Sequence, residues 1–145
     1  MAARTRTITQ TVVVPATPGE GFDAFVNPRT HAAFTGAAAT GAARVGGAFT
    51  SWDGYISGVH RELVRDRRIV QDWQTTEWPK GAAPSRVEWS FTTVTDGTKV
   101  RMVHSHVPTE QADAYRQGWI DFYWQPLAAY FTGTKSSGRK ARGSR

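Results

Sequence analysis

Residues Thr109 to Phe131, TEQADAYRQGWIDFYWQPLAAYF, constrain this chain more than any other stretch. Ala112, Tyr115, Trp119, Tyr123, Leu127 and Tyr130/Phe131 recur at steps of three and four residues and form one stripe of an amphipathic helix. Ile120, Trp124 and Phe131 widen the stripe into an aromatic face, which requires a broad surface such as a sheet to lie against. Thr109 is the expected N-cap, with Glu110 and Asp113 where first-turn amides favour negative charge. Gly118 and Pro126 work against a regular helix, and Pro126 predicts a kink where it removes the bond to the Phe122 carbonyl. A long C-terminal helix therefore covers whatever the upstream sequence builds.

Upstream, the alternation is that of strands. Thr7 to Val14 reads as a first strand ended by Pro15. Pro18 to Val26 predicts a short helix, broken by Asn27-Pro28, and Arg29 to Phe34 a second short turn of helix. Thr35 to Gly47, rich in Ala and Gly, leaves room for one short irregular strand. From Ala48 onward the signals are β throughout. Phe49 to Trp52, Tyr55 to Val64, Ile69 to Thr76, Arg86 to Val94 and Thr98 to Val107 are separated by turn sequences that include Asp53-Gly54 and Asp96-Gly97. Val87, Trp89, Phe91 and Thr93 share one face of their strand, and Val100, Met102, His104 and His106 share one face of the next. Consecutive hairpins make an antiparallel meander covered on one side. The expected fold is α+β, a helix grip: a curved sheet of about six to seven strands around the long C-terminal helix, with two short helices after strand one.

With 145 residues the chain suits a single domain, taken as 1–134, followed by a basic tail at 135–145, KSSGRKARGSR, read as disordered. Five of the 18 basic residues and no acidic residue fall in that tail, which leaves the body close to neutral despite a formal charge of +6. Nucleic-acid contact is therefore expected to be limited to weak phosphate contacts of the tail. No apolar run approaches a membrane span or the core of a signal peptide, so a cytoplasmic location and no membrane partner are expected. The absence of cysteine removes disulfides, thiolate metal sites and cysteine nucleophiles. No P-loop, nucleophile elbow or dinucleotide fingerprint is present.

Several motifs, in order, carry a family resemblance. They are Gly46-Gly47-Ala48-Phe49, Asp53-Gly54-Tyr55-Ile56-Ser57-Gly58, Arg68-Ile69-Val70-Gln71-Asp72-Trp73 and Glu77-Trp78-Pro79. Gly118-Trp119, Tyr123-Trp124-Gln125-Pro126-Leu127 and Phe131 complete the set. Over roughly residues 10–131 the chain resembles homologues of the activator of heat shock protein 90 ATPase, specifically the C-terminal domain of that activator. The wider superfamily is that of START and birch-pollen-allergen proteins (SRPBCC). The resemblance implies that an apolar small molecule is held between sheet and helix. The eukaryotic activator carries a further N-terminal domain, whereas this sequence opens at the helix-grip domain. Ligand binding is accordingly the leading expectation, ahead of association with the chaperone.

Three groups of residues could carry chemistry. His104 and His106, two apart on a strand, could face one metal ion, with His60 or Glu62 as a third ligand. The simpler reading is a packed histidine hydrogen-bonded to a backbone carbonyl or Tyr123, and no metal or cofactor is assigned. Acid–base catalysis would use His104, with Glu62 and Tyr123 orienting it or donating a proton. The simpler reading of Glu62 is a surface ion pair with Arg61 or Arg65, and of Tyr123 a core aromatic. Trp78 in its loop reads either as a partner anchor or as packed onto neighbouring strand ends.

The function expected from the sequence is non-enzymatic binding of a largely apolar small molecule, as carrier or sensor. Trp73, Val87, Trp89, Phe91, Val100, Met102, Trp119, Tyr123 and Leu127 would line the site, with His104 as its polar contact. The alternatives are a co-chaperone-like partner of a heat shock protein 90 type ATPase, and a cyclase- or hydrolase-like enzyme using His104. A monomer and a homodimer both fit the sequence.

Overall fold

In the computed structural model, residues 4–140 are described, with side chains through residue 132. The expected tail at 135–145 lies outside the residues whose side chains are described. The elements are β1 (Thr5–Val14), α1 (Pro18–Val26), α2 (Pro28–Thr35), β2 (Thr40–Gly41), β3 (Ala48–Ser51), β4 (Ile56–Val64), β5 (Arg68–Thr75), β6 (Ser85–Val94), β7 (Gly97–Pro108), α3 (Thr109–Trp119), a π-turn (Ile120–Trp124) and α4 (Gln125–Lys140). The seven strands form one antiparallel sheet in the order β1-β7-β6-β5-β4-β3-β2, so the chain meanders from β2 to β7 and β1 closes against β7. The helix-grip expectation holds. The short strand foreseen between Thr35 and Gly47 is β2.

Local chemistry starts and stops the two short helices. Thr17 and Glu20 form a capping box on α1, in which the Thr17 amide donates to Glu20 Oε1 at 2.8 Å and the Glu20 amide to Thr17 Oγ1 at 3.1 Å. Asn27 ends α1 and caps α2, accepting from the Arg29 amide at 2.9 Å, and Pro28 fits the first position of α2. The pair turns sharply enough to drop Phe22, Phe25, Val26 and Phe34 into the core beside the sheet. Phe25 stacks on Trp89 with ring centroids 4.5 Å apart.

The long helix differs from expectation at two points. Pro108 occupies the cap position, and the Thr109 amide donates instead to the Arg4 carbonyl at 3.1 Å, so β1 secures this end. The irregularity expected at Pro126 is a π-turn just before it, in which the Gln125 amide donates to the Ile120 carbonyl five residues back. A π-turn inserts one residue and leaves the ladder with a mismatched group. Pro126 has no N–H to give, so the mismatch falls where a donor is missing in any case.

Two bulges break the strand alternation. The register of β1 against β7 slips between Arg6 and Ile8, with His106 as the extra β7 residue at φ 61°. The register of β4 against β5 slips at Arg61, between His60 and Glu62. Each slip turns the residues beyond it to the opposite face. Gly58 is required where it stands, because a Cβ there would meet the Asp72 carbonyl oxygen and the Phe49 ring.

Candidate functional site

The sheet's concave face and the helix do not close evenly. At the end beneath α3 they leave a cavity of about 460 Å³. Its sheet side is Trp52, Tyr55, Ile56, Trp73 and Glu77, and its helix side is Gln111, Ala114, Tyr115, Gly118, Trp119, Phe122 and Tyr123. The helix positions follow from spacing: 111, 115, 118/119 and 122 fall on one face. Two of that face's residues, Ala114 and Gly118, are too small to reach the sheet, and the space above them stays open. The polar groups of the lining gather at one end. Tyr55 donates to Glu77, Tyr115 lies 2.8 Å from the Thr75 hydroxyl, and Gln111 Nε2 donates to the Glu77 carbonyl at 2.8 Å.

 Burial, together with the bond to Glu77, pushes the Tyr55 hydroxyl pKa well up, and burial raises that of Tyr115, so both remain protonated donors at neutral pH.

Trp52 forms the mouth. It stands just past β3 at φ 53°, a left-handed conformation that is costly for a bulky side chain. The turn is held by Asp53, whose amide donates to the Ala38 carbonyl and whose Oδ1 accepts from the Ala38 amide, both at 3.0 Å. In this position the Trp52 ring meets Phe122 edge-on at 5.5 Å. Phe122 belongs to the π-turn and is 54% exposed. Strained backbone beside an open apolar mouth is an arrangement found at ligand clamps.

A second, smaller chamber of about 20 Å³ lies behind Trp73 and Tyr123. It is lined in part by His31, Ser51, His60, Gln71 and Trp89. The Tyr123 hydroxyl lies 3.2 Å from His31 Nε2 and 3.5 Å from Ser51 Oγ, and Gln71 Nε2 lies 3.3 Å from His60 Nδ1. His31 Nδ1, Gln71 Oε1 and Trp89 Nε1 are buried without a hydrogen-bond partner. Burial lowers the His31 pKa to about 4, lowers that of His60, and pushes the Tyr123 hydroxyl up to about 12.

His104 is a structural clamp. Trp119 Nε1 donates to its Nδ1 at 3.0 Å, so the ring proton sits on Nε2, which donates to Ser85 Oγ at 2.8 Å. Ser85 Oγ in turn donates to the Trp73 carbonyl at 2.7 Å. The imidazole thus ties α3, β5, β6 and β7 together. Burial drives its pKa down to about 3, which keeps it neutral and a weak base.

Of the ten residues expected to line a site, the structure places Trp73, Trp119 and Tyr123 on the cavity. Val87, Trp89, Phe91, Val100, Met102, His104 and Leu127 are buried in the packed core and do not line it. The catalytic candidates His104, Glu62 and Tyr123 are not brought together. Glu62 lies beyond the Arg61 bulge on the outer face, where Oε1 pairs with Arg68 at 2.7 Å rather than with Arg61 or Arg65. His106 is turned outward by its own bulge, so it does not share the face of His104. Among the described residues, no group of three or more histidines and carboxylates could hold a metal ion. Trp78 packs back, donating to the Ala83 carbonyl at 2.9 Å and stacking on Tyr115. The missed lining residues include Trp52, Glu77, Gln111 and Phe122. The small pair Ala114 and Gly118 beside Tyr115 and Trp119 was the sequence signal for a gap.

The family model described as "Activator of Hsp90 ATPase homolog 1-like protein" matches residues 15–132. This chain belongs to that family. A curated relative, the activator of 90 kDa heat shock protein ATPase homolog of Dictyostelium discoideum, is 32% identical over 105 residues, covering 70% of this chain and 27% of that protein. The chain thus spans about a quarter of that relative's length. An HSP90 activator from Plasmodium falciparum superposes with a TM-score of 0.75 at 23% identity, covering 89% of this chain and 96% of that one. The Aha1 dimer from Colwellia psychrerythraea gives 0.74 at 16% identity, covering 88% and 98%. At these identities the two structures share the fold with this AHSA1-like domain. Among the described residues, no helix is long and apolar enough to cross a membrane.

Proposed function

We propose that this AHSA1-like domain binds a small, largely apolar molecule in the cavity beneath α3, as a carrier or sensor rather than an enzyme. The observation that carries this reading is the cavity itself. Its volume of about 460 Å³ falls within the range of small-molecule sites, and its walls are mainly aromatic. The absence of an assembled acid–base pair at His104, Glu62 and Tyr123 supports binding over chemistry. The cysteine-free sequence fits work in the cytoplasm.

Native mass spectrometry of the protein purified from cells, followed by denaturation and small-molecule analysis, tests the reading. A stoichiometric apolar adduct that disappears in Ala114→Trp is the expected result. An adduct that survives Ala114→Trp places the ligand elsewhere.

A second reading rests on family membership and on the name of the Dictyostelium relative. It is a co-chaperone-like association with a heat shock protein 90 type ATPase, as a monomer or as a homodimer. Stimulation of such an ATPase by this chain at low salt would support it. An unchanged rate, with no association in a pulldown, would remove it.

A further inference from the structure

We propose that the cavity selects a ligand with an apolar body and a cationic amine, with the amine held at the end formed by Glu77 and Gln111. The inference rests on reading this cavity as a binding site, and it adds the class of molecule.

Three observations converge. Glu77 is the one formally charged residue among those that line the cavity, and no lysine or arginine is among them. The groups beside it are matched so that acceptors are left over. Tyr55 donates to Glu77 Oε1, which leaves Oε2 open, and Gln111 commits its Nε2 to the Glu77 carbonyl. That bond fixes the Gln111 amide orientation, because a backbone carbonyl can only accept. Gln111 Oε1 is therefore the acceptor that is buried without a partner. An ammonium group brings up to three donors and no acceptor, which is the complement of this end. A carboxylate would set acceptors and a like charge against Glu77.

The walls favour the same sign. Trp52, Trp73, Trp119, Phe122 and Tyr123 present aromatic rings, whose faces attract cations through their quadrupoles. The cavity volume of about 460 Å³ accommodates a two- or three-ring body. Glu77 is exposed, so the charge preference is modest and fades with salt.

Isothermal titration at low salt with three matched probes tests the proposal: 2-naphthylmethylamine, 2-naphthylmethanol and 2-naphthoate. The amine is expected to bind about threefold to tenfold more tightly than the alcohol, and the acid most weakly. Glu77→Gln should reduce the amine to the affinity of the alcohol while leaving the alcohol unchanged, which shows that the cavity is intact. Equal affinities, a preference for the acid, or an amine advantage that survives Glu77→Gln would overturn the amine assignment and leave the cavity as an apolar site. Failure of all three probes to bind would overturn the binding reading as well.

Discussion

The two ends of the helix–sheet interface use similar residues to opposite effect. Beneath α4, the short helices α1 and α2 add Phe22, Phe25, Val26 and Phe34 to the layer of Trp89, Phe91, Val100, Met102 and Leu127, and the space is filled. Beneath α3 no short helix intervenes, and Trp52, Trp73, Trp119 and Phe122 surround open space. Trp73 and Tyr123 form the partition, with the polar chamber on one side and the cavity on the other. Aromatic content therefore does not distinguish a core from a pocket. What decides is whether a third layer reaches that part of the sheet, and whether the helix face above it carries Leu and Phe or Ala and Gly.

The sharpest way to break this comparison is to cut each end. Leu127→Ala at the filled end should lower the unfolding free energy by about 2–5 kcal/mol in urea denaturation. His104→Ala should do the same, since it leaves Trp119 Nε1 without a partner and removes the donor to Ser85 Oγ in addition to the lost packing. Phe122→Ala at the open end, where the ring is 54% exposed, should change stability by less than about 1 kcal/mol while weakening probe binding. Equal losses at both ends would mean that the cavity is collapsed in solution.

Acidification separates the ends next. An unfolded histidine takes up its proton near pH 6.5, whereas His31 does so near 4 and His104 near 3 in the folded chain. The stability they supply is present above pH 6.5 and is lost as pH falls towards those lower values. For His31 the loss is on the order of 3 kcal/mol. Thermal melts at pH 7.5, 5 and 4 should show a falling Tm, and His31→Phe should flatten part of that fall. A Tm independent of pH in this range would contradict the neutral, buried state of both rings.

Gly118→Ala is a smaller perturbation. Its Cβ would stand 3.9 Å from the Phe122 ring, an ordinary contact, so the helix should gain up to about 1 kcal/mol. If ligand entry needs a flexible helix at this point, binding of the naphthyl probes should slow in stopped-flow measurements; an unchanged rate would remove Gly118 as a hinge. The smallest effect concerns the polar chamber, whose volume of about 20 Å³ suits one water. A crystal structure should show an ordered water bonded to at least two of His31 Nδ1, Gln71 Oε1 and Trp89 Nε1. Direct bonds among those atoms would contradict this.

Much of the fold was legible because it follows from local periodicity. The alternation of β6 placed Val87, Trp89 and Phe91 inward, and the stripe Ala112, Trp119, Tyr123 and Leu127 is the buried side of the long helix. The bulges at Arg61 and His106 were not legible, because one inserted residue in a strand leaves no compositional mark. They alone moved Glu62 and His106 off the inner face. Pro126 did signal an irregularity, but the choice of a π-turn depends on the packing of Tyr123 and Trp124. The cavity was the least legible feature. The small pair Ala114 and Gly118 marks a gap on the helix side, but its position depends also on where α1 and α2 settle over the sheet, which is a matter of tertiary placement.

The most direct test of the account is a titration of the ¹⁵N-labelled protein with 2-naphthylmethanol, followed by amide and indole NMR signals. The account predicts saturable shifts concentrated at Trp52, Trp73, Gly118, Trp119 and Phe122, with Val87, Val100 and Met102 little changed. Shifts centred on the filled end, or none at concentrations that saturate comparable pockets, would contradict it.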